Sequence, residues 1–179
     1  YMIKPLSYIE ITSFYNRLRN LITRIDNNYY ANYGKIGSYG IELDIKQNIT
    51  PFTFFFNYSL LFPDTVFTDE SFNKINVHKN EFCHFPKHTV NAGIHFNYKK
   101  LIDLSLFGQY ASGFRSIQQY EVDDRLILNS GIGIKLAKRF ILRFNVYNLF
   151  DKYYKLGDPS VIPVEQPGRW WNFSLMYEI

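Results

Sequence analysis

The strongest constraint on this chain is a period of two in its apolar residues, held for about ten residues at a time. Between 89 and 98, Val90, Ala92, Ile94, Phe96 and Tyr98 alternate with Thr89, Asn91, Gly93, His95 and Asn97. Successive side chains of an extended strand point to opposite faces, so the segment reads as a strand with one apolar and one polar side. Residues 37–46, 52–61, 101–110, 126–136, 140–147 and 170–179 read the same way, and 5–16 alternates less cleanly. The expectation is an all-β chain of eight strands with no amphipathic helix.

Strand length separates this pattern from a soluble sandwich. Globular strands average about 5–6 residues, whereas about ten tilted residues cross a bilayer. The expected connections also alternate. Those at 47–51, 98–101 and 137–139 are short, while 17–33, 63–87, 111–124 and 149–168 are long. Outer-membrane barrels join their strands by short periplasmic turns and longer outside loops. In the seven clean strands the apolar face carries no charge, and only Gly108 and Ser130 break it. A lysine or arginine at the lipid midplane costs roughly 2–4 kcal/mol. A soluble barrel with its apolar face inward would show the same contrast, so parity alone leaves inside and outside open.

Aromatic placement favours the membrane. Phe, Tyr and Trp make up 19% of the 179 residues. Tyr39, Tyr58, Tyr98, Tyr110, Trp171 and Tyr177 fall on the apolar face towards strand ends, where amphipathic rings anchor at membrane interfaces. That content also excludes disorder. A spanning helix needs about 18 consecutive apolar residues, and the most apolar stretch, 51–62, is broken by Thr53, Asn57 and Ser59. One cysteine, Cys83, excludes a disulfide scaffold. The net charge of +4 is spread along the chain, so nucleic acid is not an expected partner. The chain opens Tyr1-Met2 without a secretory signal, which fits a processed chain or a piece of a longer one.

The last forty residues are more specific. Arg143-Phe-Asn-Val-Tyr-Asn-Leu-Phe-Asp-Lys-Tyr-Tyr154 is followed by Pro167-Gly-Arg169 and a closing aromatic strand. This resembles the C-terminal signature of TonB-dependent outer-membrane receptors. Tyr33-Gly-Lys35 beside Gly40-Ile-Glu-Leu43, Asn57-Tyr-Ser59 and Pro86-Lys-His-Thr-Val-Asn91 resemble the family in the same order. The resemblance implies a barrel of about 22 strands closed by an N-terminal plug. It implies import of an iron chelate, haem, cobalamin or similar scarce nutrient, driven through TonB. This chain, without a plug, would be residues 1–179 of the C-terminal barrel segment. Its implied partners are the remaining strands and plug of the same receptor, TonB through that plug, outer-membrane lipid and the imported ligand. The C-terminus is expected on the periplasmic side. The alternative is a self-contained eight-stranded structural or adhesive barrel, in which 5–16 would pair directly with 170–179.

The motif residues Asn148, Leu149, Phe150, Asp151, Tyr154, Pro167, Gly168 and Arg169 are expected to shape a turn and start a strand rather than to catalyse. The register of Arg169 around the bend is open. Glu42, Asp44, Lys135 and Arg143 are candidate lumen charges, expected to pair with one another or with the plug. No nucleophile or orienting motif accompanies them, so no enzyme is expected. His78, Glu81, Cys83, His84 and His88 are metal- or haem-capable side chains in one stretch. Their spacing matches no closed zinc motif, so a solvated loop is the expectation, with no metal and no cofactor and with His78, His84 and His88 as the candidates.

Overall fold

The computed structural model describes residues 2–4, 7–19, 22–26, 29–32, 35–67, 85–115, 121–136, 139–156 and 164–177. All regular structure among them is strand: β1 (Met2–Lys4), β2 (Ser7–Arg19), β3 (Ile22–Asp26), β4 (Tyr29–Asn32), β5 (Lys35–Ile49), β6 (Phe52–Phe67), β7 (His88–Tyr98) and β8 (Ile102–Ala111). There follow β9 (Phe114–Arg115), β10 (Glu121–Val122), β11 (Arg125–Leu136), β12 (Phe140–Tyr147), β13 (Lys155–Leu156), β14 (Val164–Glu165) and β15 (Trp170–Tyr177). One antiparallel sheet runs β1-β2-β5-β6-β7-β8-β11-β12-β15. Three small hairpins, β3–β4, β9–β10 and β13–β14, stand apart from it, all in connections expected to be long.

The register keeps most apolar residues of one face opposite one another. Leu43 faces Tyr58, Tyr58 faces Val90, and Val90 faces Tyr110. Ile132 lies between Leu104 and Phe144, and Phe144 meets Phe173. The apolar face is therefore continuous across the sheet, and it is uncovered: Ile11 is 72% exposed, Phe173 64% and Leu106 44%. Soluble monomers rarely expose contiguous apolar patches above a few hundred Å². The described residues have hardly any core, Ala111 and Ile127 being the buried apolar ones. A hollow of about 340 Å³ opens on the polar face. The apolar face is thus the outer one, which resolves the ambiguity that parity left.

Several strands extend beyond their expected ends. β5 begins at Lys35 and β6 continues to Phe67. Pro63 lies inside β6, opposite Ser38, where the ladder slips between Gly37 and Ser38. A bulge tolerates a residue without an N–H. From Phe52 to Phe62 the outer face of β6 spans about 33 Å of strand at ~3.3 Å per residue, or about 25 Å across the sheet at a ~40° tilt. That matches the height of an outer-membrane apolar band. Rings mark both borders. Tyr39 stacks on Phe62 at 5.2 Å, and Phe52 meets Phe96 at 5.0 Å.

The turn between β7 and β8 is unusual. Leu101 N–H donates to the Tyr98 carbonyl at 2.8 Å, and Lys99 and Lys100 have φ of 50° and 58°. Two positive φ values make a type I′ turn, which matches strand twist and normally takes Asn-Gly. Non-glycine residues in the left-handed region cost roughly 1–2 kcal/mol each. The Asn97 side chain steadies the turn by accepting from Lys100 N–H at 3.2 Å.

Candidate functional site

Two places collect polar chemistry. The first is the hollow on the polar face, lined by Glu10, Thr12, Glu42, Asp44, Asn57 and Ser59 among others. Glu10 stands directly opposite Asp44, and Glu42 lies one pleat further between Thr12 and Ser59. Like charges facing across a ladder are destabilising, so Asp44 is stabilised by donors. Asn57 Nδ2 donates to its Oδ1 at 2.7 Å, and Tyr8 Oη donates to its Oδ2 at 3.1 Å. Asn91 and Gln109 extend the polar row, with Gln109 Nε2 donating to Asn91 Oδ1 at 3.3 Å. The arrangement offers negative charge and amides to whatever fills the lumen. It holds no nucleophile–base pair.

Of the two expected pairings for these charges, with one another or with the plug, the strand order separates Glu42 and Asp44 from Lys135 and Arg143. The carboxylates are on β5, Lys135 on β11 and Arg143 on β12, with β6, β7 and β8 between. At ~4.8 Å per strand the separation is about 20 Å or more. Arg143 lies opposite Gly133 and Ser174, and Lys135 opposite Ile141. Near them His95 Nε2 and Asp103 Oδ2 are 2.6 Å apart, with Asn97 Nδ2 donating to the same carboxylate oxygen at 3.2 Å. Sequence reasoning passed over this pair and over Glu10. The pair's signal was parity, since His95, Asn97 and Asp103 share the polar face. Glu10 was hidden by the poor alternation around it.

The second place is the bend between β12 and β15. Asn148 is 4% exposed with φ 52°. Its Oδ1 accepts from Lys152 N–H at 2.8 Å, and its Nδ2 donates to the Lys152 carbonyl at 2.9 Å and the Pro167 carbonyl at 3.4 Å. Asp151, with φ 55°, accepts Arg169 N–H on Oδ1 at 2.6 Å. A Cβ on Gly168 would lie 2.6 Å from that same oxygen, so only glycine leaves the carboxylate its place. Leu149 N–H donates to the Leu128 carbonyl at 2.7 Å, and the Tyr154 carbonyl accepts from Gln166 N–H at 3.1 Å. Phe150 is exposed. The motif thus ties the two ends of one long connection together.

Among the metal candidates, His88 lies on the outer face, its Nδ1 2.9 Å from Tyr58 Oη. His78 and His84, with Glu81 and Cys83, lie outside the described residues. Among the described residues no three His, Cys, Asp or Glu side chains are grouped to hold a metal.

In the loops, two carboxyls sit below their usual range. Asp124 is lowered by Gly113 N–H and then by the Tyr110 hydroxyl. Glu165 is lowered by the Tyr153 hydroxyl at 2.7 Å and then by the Lys155 ammonium at 3.5 Å. A carboxyl depressed in the folded state stabilises above its unfolded value, about 4.3 for Glu, and loses that contribution as pH falls through the folded value. Amide exchange in the β13–β14 hairpin, corrected for intrinsic rates, should therefore accelerate below about pH 4. Glu165→Gln should remove that acid dependence. An unchanged profile in the variant would show that Glu165 does not hold the hairpin.

Long antiparallel strands, an uncovered outer face that is uncharged across the seven cleanly alternating segments, ring-marked borders and short turns at one end define a segment of an outer-membrane β-barrel. The chain belongs to the TonB-dependent receptor family: the family model described as TonB dependent receptor-like, beta-barrel matches residues 4–149. Solved structures resemble it over nearly its whole length. The ferric yersiniabactin uptake receptor FyuA from Yersinia pestis matches with a TM-score of 0.77 at 16% identity, covering 97% of this chain and 28% of that one. The siderophore receptor PiuA from Acinetobacter baumannii gives 0.76 at 18%, covering 94% and 26%. The ferric-catecholate import receptor Fiu from E. coli gives 0.75 at 17%, covering 98% and 26%. The chain therefore spans about a quarter of the length of these receptors, and at such identities the likeness shows the fold. No curated protein matches the chain in sequence. The family resides in the Gram-negative outer membrane, and its members are transporters rather than enzymes.

Proposed function

We propose that this chain is the C-terminal barrel portion of a TonB-dependent importer of ferric siderophores. The observation that carries the reading is the sheet's two edges. Among the described residues β15 pairs only with β12, and no ladder joins it to β1 or β2. Long unpaired edges are a liability that barrels remove by closure, and the remaining strands of the same receptor would cover them here. The strand order gives nothing to the self-contained eight-stranded alternative, which needs β2 beside β15. The resembling receptors include siderophore and ferric-catecholate importers, which favours an iron chelate over haem or cobalamin. The acidic hollow would face the plug, and the bend motif would have a structural role. The short turns and the C-terminus would lie in the periplasm, with TonB acting through the plug.

The test has two arms. Residues 1–179 expressed alone should give no heat-modifiable monomer in detergent. The complete receptor should support uptake of iron-55-labelled siderophore that falls to background when these strands are deleted. A cooperatively folded monomer from 1–179 would overturn the reading in favour of the self-contained barrel.

A further inference from the structure

The three short turns carry charge of one sign only. None of the stretches 47–51, 98–101 and 137–139 contains a carboxylate, whereas each long connection contains at least one. Lys99, Lys100 and Arg139 are exposed there. Among the described residues no carboxylate lies within 4.0 Å of any of the three. Asp103, the nearest acidic side chain to the Lys99–Lys100 turn in this register, is on the polar face and engaged with His95.

The cations stand over the rings that border the apolar band. Lys99 Nζ is 5.2 Å from the Tyr98 ring centre. Arg139 lies 6.0 Å over the Tyr177 ring, and its Nη1 donates to Tyr177 Oη at 2.9 Å. Beneath them run Phe52, Phe96 and Phe140, with Phe140 meeting Tyr177 at 5.1 Å. The two turns sit on neighbouring hairpins, since β8 pairs β11 and Lys135 N–H donates to the Leu101 carbonyl at 2.8 Å. Rings at the hydrocarbon border with cations just beyond them place positive charge at headgroup depth. The Lys99–Lys100 turn also carries two lysines in a backbone conformation that Asn-Gly adopts without strain. Strain held at one place is a reason to look for what the side chains do there.

We propose that Lys99, Lys100 and Arg139 form a binding surface for anionic glycerophospholipid headgroups in the membrane leaflet at the short-turn end. The assignment of that leaflet to the periplasmic side rests on the orientation proposed above. The phosphodiester and its negative charge supply a counterion that no described carboxylate supplies to these three side chains. Neutral or zwitterionic lipid leaves net positive charge at the rim.

The test uses the complete receptor reconstituted with equal amounts of phosphatidylglycerol and phosphatidylcholine, with retained lipids counted by native mass spectrometry. The wild type should retain phosphatidylglycerol preferentially. The variant Lys99→Asn/Lys100→Gly/Arg139→Gln should lose roughly fivefold in that preference for each cation removed. Because Asn-Gly suits the turn better than Lys-Lys, the variant is expected to fold, and heat modifiability checks that it does. Lys99→Arg/Lys100→Arg should keep the preference. Equal preference in wild type and triple variant overturns the proposal while the receptor reading stands. Failure of the wild type to insert into either lipid overturns the membrane reading itself.

Discussion

Ile94→Arg should cost the complete receptor about 2–4 kcal/mol of folding free energy in lipid, and Asn91→Arg less than about 1 kcal/mol. Ile94 lies on the outer face of β7, between Phe54 on β6 and Leu106 on β8. It is four residues from Tyr98 at the short-turn border, which puts it about 10 Å inside the apolar band at ~3.3 Å per tilted residue. A guanidinium there reaches neither water nor a carboxylate, because the seven clean strands carry no charge on this face. Asn91 lies three residues away on the opposite face, between Asn57 and Gln109. An arginine in its place would border the hollow that holds Glu42 and Asp44, so the new charge meets opposite charge. The measurement is the urea midpoint of the heat-modifiable form in vesicles. Equal tolerance of the two substitutions would show that the outer face has been assigned to the wrong side.

That prediction could be written from parity alone, and the structure sharpened it by naming the neighbours. Parity was legible wherever alternation ran unbroken, because a one-residue slip would move every apolar side chain to the polar face. β2 was harder to read. Its outer face carries Ser13, Arg17 and Arg19 among Ile9, Ile11 and Tyr15, and the weakened contrast hid the position of Glu10. Strand ends were less legible still. The continuation of β6 through Pro63 depends on a bulge in β6 itself, where Asp64 is the extra residue opposite the Gly37–Ser38 step, and no period in the sequence marks it. The small loop hairpins have two to five residues per strand, too few for any period to show. The type I′ turn at Lys99–Lys100 lacked the Asn-Gly that marks such turns. The lumen carboxylates were expected to meet the basic residues or the plug, and the strand order separates them from the first of these. Parity places a residue on a face, but which residues on that face meet depends on how many strands separate them.

Asn148→Ala should cost about 3 kcal/mol and Asn148→Gly about 2 kcal/mol, with the difference reporting the backbone. Alanine removes the side-chain bonds to Lys152 N–H and to the Lys152 and Pro167 carbonyls, at about 1 kcal/mol for each good bond. It must also hold φ near 52°, which asparagine tolerates better than alanine. Glycine loses the same bonds without that strain. The bend these bonds make is what brings Arg169 N–H to Asp151 and starts β15 beside β12, where Tyr147 stacks on Trp170 at 3.9 Å. Loosening it should appear first as faster amide exchange at the Trp170 end of β15, with the Tyr177 end affected least. Ligand affinity should stay unchanged wherever the barrel remains closed, because the motif's polar atoms are spent on one another. An affinity loss with β15 protection intact would instead assign Asn148 to the ligand.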